Sequence, residues 1–158
     1  MKEQLNLLKS SIGKTLLSLK CDDIILQIKS GQQIDCENAC IYIESLGCIE
    51  IGFDEGSHFY GESDLILNYS DSESDGIQMS ELGEISSIIY WIFTPIGFNL
   101  FPAKYLVHIE LLTDINPISI GFIKKTQEGS LVIDISSIHI STGLIEGNSN
   151  NLEKKKLN

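Results

Sequence analysis

The chain has 158 residues, of which 42% are hydrophobic and 21% charged, and its eleven lysines face twenty-two carboxylates with no arginine, a net charge of −11. That length suits one domain with a self-sufficient core. A protein of this sign repels phosphate and lacks the guanidinium that reads phosphate in bidentate fashion, so neither nucleic acid nor an anionic membrane is expected as a partner.

The opening, Met1 to Lys9, has no apolar stretch of signal-peptide length and no small-residue cleavage pattern. No apolar run approaches the roughly 18 residues needed to cross a bilayer, the longest being Ile88 to Phe93. The expected location is therefore the cytoplasm, where Cys21, Cys36, Cys40 and Cys48 stay reduced.

Leu5, Leu8 and Ile12 stand at helical spacing and Gly13 ends the pattern, which predicts a short amphipathic first helix. The chain then alternates. Leu17, Leu19 and Cys21 lead to Asp22-Asp23, and a two-residue turn there sets Cys21 opposite Ile24, Leu19 opposite Leu26 and Leu17 opposite Ile28 on one apolar face. A loop at Ser30-Gly31-Gln32 extends that face, with Ile28 opposite Ile34 and Leu26 opposite Cys36.

A second hairpin around Ser45-Leu46-Gly47 places Ile43 opposite Ile49, Ile41 opposite Ile51 and Ala39 opposite Phe53 on a core face. Cys40, Tyr42, Glu44, Cys48 and Glu50 take the other, acidic face. Asp64 to Tyr69 reads as a short strand between loops. Ile85 to Phe93, rich in β-branched and aromatic residues, reads as a strand covered on both sides, although Leu82, Ile85, Ile89 and Ile92 also fit a helix.

Lys104 to Leu112 gives another strand, with a turn at Asp114-Ile115-Asn116-Pro117. Ile118 to Lys125 and Ser130 to Ile135 then form a hairpin around Thr126 to Gly129, with Ile120 opposite Ile135, Phe122 opposite Ile133, and Ile138 to Ile140 as its extension. Residues 143–158 read as a polar C-terminal tail with too little apolar surface to fold alone. The fold class is mainly β: a single-domain antiparallel β-sandwich or partly open barrel over residues 1–142, with one or two short helices.

Few constellations carry chemistry. Asp71-Ser72-Glu73-Ser74-Asp75-Gly76 has the first six positions of a calcium loop, but position 12 falls on Leu82 where a bidentate glutamate is needed. Cys36, Cys40, Cys48 and His58 form a loose zinc set whose thiols point to different faces in the registers above. No nucleotide-binding, metalloprotease or nucleophile-elbow motif gathers His58, His108 and His139, so these read as structural or exposed histidines, and no cofactor or catalytic residue is expected. A metal-responsive module using Asp71, Glu73 and Asp75, or an enzyme of unrecognised type built on His108 or His139 with a carboxylate in a pocket, stands as the alternative.

The acidity is local. Between Lys29 and Lys104 the 74 intervening residues hold thirteen carboxylates and no cation, whereas the rest of the chain sums to +2. The same segment carries apolar strands, so its carboxylates are expected outward, as a negative field that steers a basic protein. Tyr42, Glu44, Glu50, Asp54, Glu55, Phe59, Tyr60, Glu62, Asp71, Glu73 and Asp75 are the candidate partner-binding residues, the aromatics serving as anchors within the acidic field.

The opening third, Ile12-Gly13-Lys14, alternating Leu17 and Leu19, Asp22-Asp23, Ile24 to Ile28, Gly31 and Gly47-Cys48-Ile49-Glu50-Ile51, resembles the small acidic bacterial immunity proteins of polymorphic-toxin and contact-dependent inhibition systems. The resemblance implies a cytoplasmic, non-catalytic inhibitor that occludes the active groove of a basic toxin domain, often a nuclease. It transfers no binding residue by position.

Overall fold

The computed structural model describes residues 1–27, 33–53, 64–70, 77–80, 82–95, 103–147, 149 and 151–158. One helix, α1 (Lys2–Ser10), precedes twelve strands: β1 (Leu16–Gln27), β2 (Gln33–Ile43), β3 (Gly47–Phe53), β4 (Leu65–Ser70), β5 (Ile77–Ser80), β6 (Ile85–Phe93), β7 (Tyr105–Thr113), β8 (Ile118–Gly121), β9 (Ile123–Lys125), β10 (Leu131–Ile133), β11 (Ile138–Thr142) and β12 (Leu152–Leu157). Ten of the strands make one antiparallel sheet in the order β12-β6-β7-β8-β11-β2-β1-β5, with β3 on β2 and β4 on β3. The sheet curls into an open half-barrel, and β9 and β10 form a separate hairpin.

β2 is the strand about which the sheet divides. One edge pairs with β1 along nearly its whole length, while the other is shared, Gln33 to Cys36 with β11 and Ala39 to Ile43 with β3. At the point of division the inward face changes phase. Ile34 and Cys36 enter the core, then Ala39, Ile41 and Ile43 do, so the buried set moves from even to odd positions across Glu37-Asn38.

β1 makes the same change opposite it, from Leu19 and Cys21 to Ile24 across Asp22-Asp23. A one-residue change of phase reverses which side of a strand faces inward. Two paired strands changing phase together let one continuous ribbon feed its apolar side chains into a single core from both arms of a bent sheet.

Asp22-Asp23 is therefore a corner and not the predicted turn. β1 runs straight through it, with Asp22 paired to Asn38, and Asp23 takes φ +49°, the left-handed region in which aspartate is tolerated better than most residues. The expected pairing of Cys21 with Ile24 does not exist; Cys21 sits opposite Ala39 and Ile24 opposite Cys36. A bulge at the start of β1 likewise turns Leu17 outward, 52% exposed, and gives its core place to Leu16. Leu26 lies opposite Asp35, not Cys36, and Ile28 falls outside the described residues.

The β2–β3 hairpin forms where predicted but slips by two residues. Glu44-Ser45-Leu46 is the turn, Ser45 has φ +59°, and Ile43, Ile41 and Ala39 face Gly47, Ile49 and Ile51. A slip of two keeps every side chain on its predicted face.

The strand predicted from Ile118 to Lys125 breaks at Gly121, leaving β8 in the main sheet between β7 and β11. Only β9 continues into the hairpin, with Ile123 opposite Ile133. Ile138 to Thr142 does not lengthen that hairpin but joins β8 to β2. The polar segment 143–158 ends in β12, an edge strand paired with β6 from Leu152–Phe93 to Leu157–Ile88.

α1 buries Leu8 completely, about 1.5–3 kcal/mol of hydrophobic stabilisation. Its Gln4 side-chain amide donates to the carbonyl of Leu65 at 3.1 Å, fixing the helix against β4. Past the helix, the amides of Gly13 and Leu16 donate to Ile85 and Gly83 at 2.8 Å, and the Ile85 amide to Lys14 at 2.9 Å. These bonds tie the entrance of β1 to that of β6 and close one end of the curl.

Candidate functional site

Of the eleven residues expected to meet a partner, Tyr42, Glu44 and Glu50 are described; Asp54, Glu55, Phe59, Tyr60, Glu62, Asp71, Glu73 and Asp75 lie outside the described residues, as does the calcium-like loop. Tyr42 and Glu50 share the outer face of the β1–β4 arm. Across that face Lys20, Cys40, Glu50 and Asn68 form one cross-strand row, and the Lys20 ammonium lies 5.2 Å from the centre of the Tyr42 ring. Glu44, at the turn, accepts the Thr15 hydroxyl at 2.8 Å.

The segment's carboxylates do not all point outward. Among those described, Glu37, Glu44 and Glu84 are exposed and Glu50 is half-buried. Asp64 instead accepts the Leu106 amide at 2.8 Å, pinning β4 to β7, and Asp35 is 4% exposed. Their reason is backbone and side-chain hydrogen bonding that a charge count does not register.

Asp35 belongs to a second constellation. Consecutive pairings place Lys154, Trp91, His108, Gly121, His139 and Asp35 in one row six strands wide, from β12 to β2. The adjacent row holds Glu110, Ser119 and Ser141. The row runs along the outer face of its arm, where the β9–β10 hairpin and residues 143–147 approach it, and His108, Glu110, Ser119, His139 and Asp35 are all buried.

Most polar atoms of the row have a partner that explains their burial, while His108 Nε2 and His139 Nε2 are buried without a hydrogen-bond partner among the described residues. Glu110 is fully buried; its Oε1 accepts the Trp91 indole N–H at 2.8 Å and the Ile145 amide at 3.3 Å, and the Lys154 ammonium lies 3.3 Å from Oε2. That ammonium also donates to the Ile145 carbonyl at 3.2 Å and sits 4.7 Å from the Trp91 ring, so one side chain adds to the β6 ladder in holding the terminal strand.

His108 Nδ1 accepts the Ile123 amide at 3.4 Å, which places its proton on Nε2. Burial lowers the pKa of this imidazole to about 3, and nearby His139 and Lys154 add to the effect. Gly121 makes the arrangement possible: a Cβ there would come within 2.7 Å of His108 Nδ1, at a φ of +146° that glycine alone adopts easily.

His139 Nδ1 lies 2.8 Å from Asp35 Oδ1, and because a carboxylate only accepts, Nδ1 carries the proton. Nε2 faces Asp134 Oδ2 at 3.5 Å. Lys124 joins the same two carboxylates, 3.6 Å from Asp35 and 3.9 Å from Asp134, so a charged cluster fastens the hairpin to β2 and β11. The Asp134 carboxyl is held below its usual range, chiefly by its hydrogen bonds from Ser136 and further by His139 and Lys124.

Beside this cluster a cleft of about 240 Å³ opens between the hairpin and residues 144–146, with His139 and Gln33 in its floor. An imidazole oriented by a carboxylate is the pattern of a general base. Here Nε2 is buried against Asp134, so it meets no bound molecule unless that aspartate moves.

The cysteines divide into two pairs. The Cys36 thiol is raised by its hydrogen bond to Cys21 and by burial, and burial together with Cys48 pushes the Cys40 thiol up to about 12. All four are reduced and buried. Cys36 is in the core, while Cys40 and Cys48 lie on the opposite face of β2 and β3, and no group of metal-ligating side chains converges among the described residues.

The sequence puts His108 and His139 in strands, as structural or exposed residues or, in the alternative, beside an unspecified carboxylate in a pocket, and nothing in it singles out Glu110 or Asp35 as that carboxylate. Their signal lies in alternation, since Val107-His108-Ile109-Glu110-Leu111 and Ile138-His139-Ile140-Ser141 put polar groups on a shared face. No helix among the described residues is long and apolar enough to cross a membrane. No protein-family model, curated protein or solved structure matches the chain.

Proposed function

We propose that the chain is a non-catalytic inhibitor of the immunity type, which acts in the bacterial cytoplasm and neutralises a basic toxin domain, a nuclease foremost, through its acidic arm. The carrying observation is the segregation of charge. Among the described residues of the β1–β4 arm, exposed Glu37 and Glu44 and half-buried Glu50 and Asp22 face one strand lysine, Lys20, whereas in the opposite arm Lys124, Lys125, Lys154, Lys155 and Lys156 are interspersed with Glu128, Asp134, Glu146 and Glu153. Such a separation orients the molecule toward a cationic surface before contact, and Tyr42 supplies an aromatic side chain within the field.

The test is protection. Coexpression of the chain with basic toxin nuclease domains should, for its cognate domain, restore growth and yield a complex on size-exclusion chromatography. A folded Glu44→Lys/Glu50→Lys variant should protect less. Full toxicity in the presence of the unmodified chain, or protection unchanged by reversing both charges, would refute this reading.

A further inference from the structure

Two opposite charges line the cleft and leave each other alone. Lys125 on the hairpin side and Glu146 on the facing segment are both exposed, and neither makes an ion pair with a described residue. The Ser141 hydroxyl, which also lines the cleft, is likewise without a hydrogen-bond partner among the described residues. Around these groups Ile123, Ile145 and a 42% exposed Leu144 supply an apolar wall. Lys124 and His139, by contrast, are already engaged with Asp35 and Asp134.

We infer that this cleft binds a small zwitterion with an aliphatic body, a free α-amino acid of the leucine class. Its carboxylate meets Lys125 and Ser141, its ammonium meets Glu146, and its side chain covers Leu144, Ile145 and Ile123. Three considerations select this class. The volume of about 240 Å³ lies below the roughly 300–1,000 Å³ of sites for drug-sized ligands and so admits only a small molecule. Lys124 is already matched by Asp35 and Asp134, so the cleft is left with one unmatched cation, Lys125, and one unmatched anion, Glu146, and a ligand carrying both charges satisfies both where a simple anion or cation satisfies one. Covering an exposed leucine adds hydrophobic stabilisation that a purely polar ligand forgoes.

Calorimetric titration of the full chain with leucine, isoleucine, valine and methionine tests it, with glycine, 4-methylpentanoate and 3-methylbutylamine as partial probes. At least one of the four should bind saturably, and each partial probe should bind roughly tenfold more weakly or worse. Lys125→Gln and Glu146→Gln, both at exposed positions, should each lower the affinity about fivefold or more with unchanged unfolding midpoints. Absence of saturable binding by all four, equal binding of the acid or the amine alone, or wild-type affinity in both variants overturns the proposal. The outcome is independent of toxin protection, which uses the other arm.

Discussion

At the scale of single residues, the buried polar row should govern how stability responds to pH and charge. His108 is held neutral in the folded protein, while an unfolded histidine titrates near pH 6.5. Below that pH the unfolded chain takes up a proton that the folded one refuses until about pH 3, so acid favours unfolding. This one group should lower stability by about 1.4 kcal/mol per pH unit between roughly pH 6 and 4. His108→Asn keeps an acceptor for the Ile123 amide but cannot titrate, so urea unfolding across that range should show a slope shallower by about one proton.

Glu110 offers a complementary test. Lys154→Met leaves a fully buried carboxylate without its cation and should destabilise by about 3 kcal/mol in urea unfolding. Glu110→Gln/Lys154→Met should recover much of that loss, because an amide can stay hydrogen-bonded to Trp91 without a counter-charge. Neither partner stands out in the sequence. Lys154 lies among three consecutive lysines in a segment that reads as tail, and only pairing with β6 places it over Trp91.

At the scale of elements, the strands were legible because their apolar residues alternate, and the corner was not. Asp22-Asp23 has the composition of a tight turn and behaves as a change of phase inside a strand. The deciding information is long-range: Asn38 stands opposite Asp22, so both strands shift together. The two-residue slip of the β2–β3 hairpin escapes alternation for the opposite reason, since it moves no side chain to a different face.

Asp23 should respond accordingly. Asp23→Gly relieves a positive φ and should be neutral or stabilising by up to about 1 kcal/mol, whereas the β-branched Asp23→Val should destabilise by about 1–2 kcal/mol. A true tight turn with aspartate exposed on both sides would not couple to the core. Loss of the Cys21–Cys36 contact in the valine variant, seen as faster reaction of these thiols with a disulfide reagent, would identify Asp23 as the corner of the sheet.

At the scale of the whole molecule, the half-barrel has two arms with different surface chemistry. The β1–β4 arm presents Glu37, Glu44 and Glu50, and the opposite arm mixes the lysines of β9 and β12 with Glu128, Glu146 and Glu153. The acidic segment was visible in the sequence as a run without cations. What the run concealed was the diversion of Asp35 and Asp64 into structural hydrogen bonds and the presence of Lys20 beside Tyr42.

An acidic arm that steers a basic partner has a kinetic signature, because exposed charges raise the association rate and salt screens them over a Debye length of about 10 Å at 0.1 M. Stopped-flow association of the chain with the basic toxin domain should therefore slow by roughly tenfold or more between about 0.02 and 0.5 M salt. Glu44→Lys/Glu50→Lys should lower the low-salt rate and converge on the wild-type rate at high salt. An association rate indifferent to salt, and equal in wild type and variant, would contradict recognition through this arm.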